Sequence, residues 1–102
     1  MIRAQIFIDR RKKITGYHIK GHSMMAESGE DVLCAFVSSA AFMAANTITD
    51  VIKAEAEDGD MLLRVAGEYL DQCQTILAGL RLHLSETEKQ YPNNLKVVIT
   101  EV

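Results

Sequence analysis

Asp58-Gly59 constrains this chain more than any other pair of neighbours. Both residues tolerate the positive φ of a two-residue hairpin turn, and apolar residues alternate on either side. If Glu57 pairs with Asp60, the register follows along both strands. Ala56 then faces Met61, Ala54 faces Leu63 and Ile52 faces Val65 on one side; Glu55 meets Leu62 and Lys53 meets Arg64 on the other. One face comes out wholly apolar. A slip of one residue would turn that face to solvent, so the turn and the pattern specify the same pairing.

Alternation recurs near both termini. Ile2, Ala4, Ile6 and Ile8 interleave with Arg3, Gln5, Phe7 and Asp9, the period-two signature of a strand. Arg10 to Lys13 interrupts it with four basic residues, and Tyr17 and Ile19 resume it, so residues 2–20 read as a hairpin with a solvated basic tip. From Val32 to about Val51 there is neither glycine nor proline. Leu33, Val37, Ala41, Ala44 and Ile48 make an apolar stripe there, widened by Ala35, Phe36 and Ala45; so broad a stripe predicts a central helix. A second helix, Gly67 to about Glu88, carries Leu70, Cys73, Leu77, Leu80 and Leu84 at helical spacing. Tyr91-Pro92-Asn93-Asn94 ends it, and Leu95, Val97 and Ile99 alternate as a last strand. The order ββαββαβ predicts one α+β domain over residues 1–102: a two-layer sandwich, with two helices on one face of a mixed or antiparallel sheet.

Composition removes several classes of function. An apolar share of 48% supports a core without metal or disulfide staples. No stretch is apolar enough to span a bilayer and none has the pattern of a signal peptide, so a cytoplasmic protein is expected. Cys34 and Cys73 make no C-x-x-C pair and are expected to stay reduced. A net charge of -3 argues against a direct nucleic-acid binder. His18 and His83 have no cysteine or carboxylate at metal-ligand spacing, so no metal is expected.

The chemistry concentrates between Gly21 and Ser38. Ser28 or Asp31 can cap the following helix. With Asp31 as the cap, Cys34 is the third helical residue, among amides that lack intrahelical partners and favour an anion. His22, in the preceding loop, is the candidate base for that thiol. Ser38 lies one turn beyond Cys34 on the same face, and Gly21 and Gly29 bracket the loop as hinges would. Met24 and Met25 either pack on the core or line a groove for an apolar peptide. Glu27, Glu30 and Asp31 are acids that either solvate the loop or attract a basic substrate tail. Cys73, on the stripe of the second helix, reads as a buried structural thiol.

The run Gly21-His22, then Gly29, Asp31, Val32, Leu33, Cys34, Ala35, Val37 and Ser38, resembles the signature of the bacterial ribosomal-processing cysteine proteases, the Prp family. Length and element order agree across essentially the whole chain. The resemblance implies a homodimeric endopeptidase that removes a short N-terminal extension from large-subunit ribosomal protein twenty-seven. By position it implies Cys34 as nucleophile, His22 as general base, Asp31 as helix cap or histidine partner, and Ser38 as polar support, in an acyl transfer that needs neither a metal nor an organic cofactor. Two departures stand out: Ser23-Met24-Met25 after the histidine, where smaller residues are usual, and Phe36 after Cys34-Ala35. The first would reshape the loop or groove; the second would narrow the groove or alter dimer packing. Two other readings use the same residues. In a non-catalytic ribosome-associated module, Cys34 is merely a helix residue; in a thiol redox sensor, it is the peroxide-reactive group.

Overall fold

The structure, a computed structural model, describes residues 1–22, 32–48, 57 and 59–102, and the backbone of 51–56. Met24, Met25, Asp31 and the rest of 23–31 lie outside the described residues, as does Asp58. Strand β1 (Ile2–Ile8) buries Ile2, Ala4, Ile6 and Ile8, as its alternation requires. Strand β2 (Ile14–Lys20) returns beside it with Ile19 opposite Ala4 and Tyr17 opposite Ile6. The Asp9 carboxylate closes the tip between them, accepting from the amides of Arg11 at 2.9 Å and Lys13 at 3.0 Å. Two of the basic residues there are neutralised within the fold: Lys12 pairs with Glu101 and Lys13 with Asp71. The Asp71 carboxyl is held below its usual range by its hydrogen bond and charge contact with Lys13.

Strands β3 (Val51–Glu57) and β4 (Asp60–Val65) pair with Glu57 opposite Asp60, and Ala56, Glu55, Ala54 and Lys53 follow in the expected register. At the far end the expectation fails: Val51, not Ile52, stands opposite Val65, with a register shift between Val51 and Lys53. An extra residue of this kind disrupts least where a strand is paired on one side only, and β3 is the outermost strand. Met61, Leu63 and Val65 of β4 are buried, which is the apolar face the turn predicts.

Among the described residues the sheet has five strands in the order β3-β4-β2-β1-β5, with β5 (Leu95–Glu101) parallel to β1 and every other pair antiparallel. The sheet is therefore mixed. Since β2 and β3 both run against β4, they are parallel to each other; β4 and β5 are parallel likewise. Each such pair needs a crossover, and the two helices supply them. The crossovers travel in opposite directions along the sheet but leave from antiparallel strands. A shared right hand then puts both helices on one face.

Helix α1 (Val32–Thr47) buries Leu33, Val37, Ala41 and Ala44, with Ile48 just beyond it. It is not central, because Val32, Phe36, Phe42 and Met43 are exposed on its outer side. It also stops short of the expected end. The Thr47 hydroxyl bonds back to the Met43 carbonyl at 2.7 Å, and the β-branched residues from Thr47 to Ile52 favour extended chain. Helix α2 (Leu70–Gln90) follows a short 3₁₀ turn at Gly67–Tyr69 and buries the whole predicted stripe, Cys73 included. Gln74 pins it to β2: its side chain accepts from the Ile14 amide and donates to the Ile14 carbonyl, each at 2.8 Å. No helix among the described residues is long and apolar enough to cross a membrane.

Candidate active site

The end of β2, the start of α1 and the turn between β3 and β4 meet at one edge of the sandwich. The chain leaves β2 through Gly21, at φ +99°. A Cβ on Gly21 would lie 2.4 Å from the Met1 carbonyl oxygen, so the start of β1 presses on this residue and admits no side chain. Its amide donates to the Gly59 carbonyl at 2.8 Å, which moors the histidine loop to the β3–β4 connection. His22 follows directly, and its Nδ1 lies 3.9 Å from Cys34 Sγ. The Nε2 end of its ring lies against Gly59, where a Cβ would stand 2.8 Å from Nε2.

Cys34 is the third residue of α1, partly buried and packed against the core. Its place in the first turn of α1 is the one the spacing predicts, at the positive end of the peptide dipoles. Leu33 and Val37, on either side of it in the stripe, anchor this turn to the sheet. Ser38, one turn on, lines the same cavity.

That cavity encloses about 320 Å³. The buried Ile2, Ile19, Val37 and Met61 give it an apolar floor, and the exposed Phe42 lines it together with Glu57, Asp60, Gly21, His22, Cys34 and Gly59. The structure thus brings together His22, Cys34, Ser38 and Gly21 of the residues singled out from sequence. Met24, Met25 and Asp31 remain outside the described residues. Phe36 does not line the cavity; it stacks on His83 of α2, ring centroids 4.8 Å apart.

Three residues of the site were missed by sequence reasoning. Glu57, Gly59 and Asp60 were legible as a hairpin turn, and nothing in their spacing tells that the turn folds against a histidine 37 positions earlier. His18 also differs from expectation, because its Nε2 and Asp60 Oδ1 lie 2.6 Å apart across β2 and β4. The partner comes from strand register rather than from sequence spacing. Among the described residues, no three His, Cys, Asp or Glu side chains gather in a way that could hold a metal ion.

The arrangement provides a thiol at a helix start, an imidazole nitrogen facing it, and an apolar cavity beside both. Comparison with known proteins gives this geometry a context. A family model described as cysteine protease Prp matches residues 1–96. The ribosomal processing cysteine protease Prp of Bacillus subtilis (strain 168) is 31% identical over 107 residues, spanning 95% of this chain and 96% of its own. The protein of the same name from Staphylococcus aureus (strain Mu50) is 26% identical, spanning 95% of this chain and 97% of its own. The crystal structure of an essential ribosomal processing protease Prp from S. aureus, with a covalently linked product peptide, superposes with a TM-score of 0.87. It is 25% identical, and the match covers 98% of this chain and 100% of the other.

Proposed function

The chain belongs to the cysteine protease Prp family and is a cysteine protease; from that premise we propose that it removes the N-terminal extension of large-subunit ribosomal protein twenty-seven in the cytoplasm, with Cys34 as nucleophile and His22 as base. The observation that carries the site assignment is the 3.9 Å approach of His22 Nδ1 to Cys34 Sγ at the start of α1. That separation is long for proton transfer. Such contacts are often loose in a free enzyme and tighten when substrate arrives.

In the proposed reaction, His22 takes the thiol proton and the Cys34 sulfur attacks the scissile carbonyl. Amides at the start of α1 receive the charge that develops on the carbonyl oxygen. His22 then returns the proton to the leaving amine, and water cleaves the acyl-enzyme. The apolar floor of the cavity suits a hydrophobic side chain beside the scissile bond. Ser38 and Gly21 support the reacting pair, the first from the cavity wall and the second by directing the chain into His22.

The test is cleavage of a peptide spanning the host's extension by the folded, reduced protein. Cys34→Ala should abolish turnover, and His22→Ala should lower kcat by roughly 10²–10⁴-fold. A folded wild type that leaves the peptide intact would overturn the substrate assignment. Any turnover by Cys34→Ala, or turnover by His22→Ala near the wild-type rate, would overturn the role of that residue. The same reading makes the enzyme a homodimer, which accords with the apolar side chains exposed on the outer side of α1. Sedimentation equilibrium should then return twice the chain mass of 11.3 kDa, and a single-chain mass throughout the micromolar range would refute it.

A further inference from the structure

The His22 ring has two nitrogens, and the reaction uses one of them. Nδ1 faces the sulfur; the Nε2 end of the ring lies against the β3–β4 turn at Gly59. A Cβ built on Gly59 would meet three atoms of this ring, Nε2 at 2.8 Å, Cε1 at 3.3 Å and Cδ2 at 3.4 Å. Nε2 is the nearest and its two ring neighbours are almost equidistant and only slightly farther, so the Cβ would stand over the Nε2 end of the ring, largely out of its plane. The mooring is mutual, since the Gly59 carbonyl also accepts the amide of Gly21, the residue before His22.

We propose that Gly59 is a positioning residue for His22: its bare backbone is the stop against which the imidazole seats, and this seat turns Nδ1 toward Cys34. The inference rests on the reading of His22 as base to Cys34. A methyl group at this position cannot coexist with the ring as placed. What would yield is the end of a rotatable side chain, not backbone, so the fold tolerates the change while the ring swings. The consequence falls on alignment, and a displacement of about 1 Å at a reacting group can cost on the order of 100-fold in rate.

Two variants separate alignment from folding. Gly59 sits at φ +74°, where alanine is strained and asparagine is better tolerated. Gly59→Asn therefore keeps the turn and still places a Cβ at the ring. Both Gly59→Ala and Gly59→Asn should lower kcat for the peptide by roughly 10- to 100-fold with KM within about threefold. The midpoint of thermal unfolding should fall by only a few degrees for Gly59→Asn.

Alkylation of Cys34 by iodoacetamide at pH 7, followed by mass spectrometry of its peptide, reads the pair without any substrate. His22→Ala and each Gly59 variant should slow it to a similar extent. Adding Gly59→Ala to His22→Ala should slow it no further, the non-additivity expected of residues acting through one another. Alkylation at the wild-type rate in folded Gly59→Asn would overturn the proposal, as would an equal further loss in the His22→Ala background. Unchanged alkylation in His22→Ala would overturn it too, because there would be no aligned base to seat. If alkylation follows the expected pattern while the peptide remains intact, the substrate assignment fails and the positioning role stands.

Discussion

At the scale of the residue, the two glycines beside His22 do different work, and their substitution separates stability from chemistry. Gly59 contacts the movable end of a side chain, whereas Gly21 contacts backbone: the Met1 carbonyl oxygen would lie 2.4 Å from its Cβ. A main-chain carbonyl at the entry to β1 cannot swing aside as the end of a side chain can, and φ +99° is itself strained for an L-residue. Gly21→Ala should therefore lose roughly 1–3 kcal/mol of stability together with activity. Urea unfolding checks this through a lower midpoint at unchanged slope; a variant as stable as wild type would show that the β1 start does not press on this residue. The Gly21-His22 pair and the helical position of Cys34 were legible because they depend on local chain chemistry. The contact of His22 with Gly59 was not, since it is created by the sheet order that sets the β3–β4 turn next to the end of β2.

At the scale of the element, legibility followed how many neighbours decide the outcome. The β3–β4 register is set by a two-residue connection and an apolar face, both written in adjacent residues, and it holds from Glu57 to Lys53. It breaks beside Ile52, where Val51 and Ile52 are both apolar and β-branched and either would satisfy an alternating pattern. Helix α1 taught the opposite lesson. Its stripe was legible residue by residue, yet an apolar outer side led to the expectation of a central helix. That outer side instead lies exposed, with Phe36 stacked on His83. Apolar content around a helix reports how much surface prefers cover; whether this chain or another supplies the cover is a property of the assembly. Inside, Ala41 and Ala44 have no exposed surface, and such small residues let α1 lie close to the strands. Close approach matters for the site because it sets the distance between Cys34 on α1 and His22 at the end of β2.

At the scale of the whole molecule, a fully buried polar tie joins the sheet to α1, as Gln74 joins it to α2. The Tyr17 hydroxyl, on β2, donates to the Ala41 carbonyl on α1 at 2.9 Å, and the ring is among the most deeply buried side chains. Burial pushes the phenol up from 10.0 to about 12, because the phenolate would lose its water inside the apolar core. The sign of the coupling follows. The folded state holds its proton more tightly than the unfolded state, so the contribution is fully present below pH 10 and is lost as pH rises through about 12. By pH 12 the loss amounts to roughly 2 kcal/mol, a large part of the stability of a chain this size. Other groups titrate in the same range, so the measurement is a comparison of wild type with Tyr17→Phe by urea unfolding at pH 8 to 12. Below pH 10 the wild type should be the more stable, by about 1 kcal/mol for the hydrogen bond. Above it that advantage should vanish and then reverse, since phenylalanine has no proton to surrender. An advantage that stays constant up to pH 12 would mean that the phenolate can be hydrated without parting the layers, and that Tyr17 does not lock α1 to the sheet.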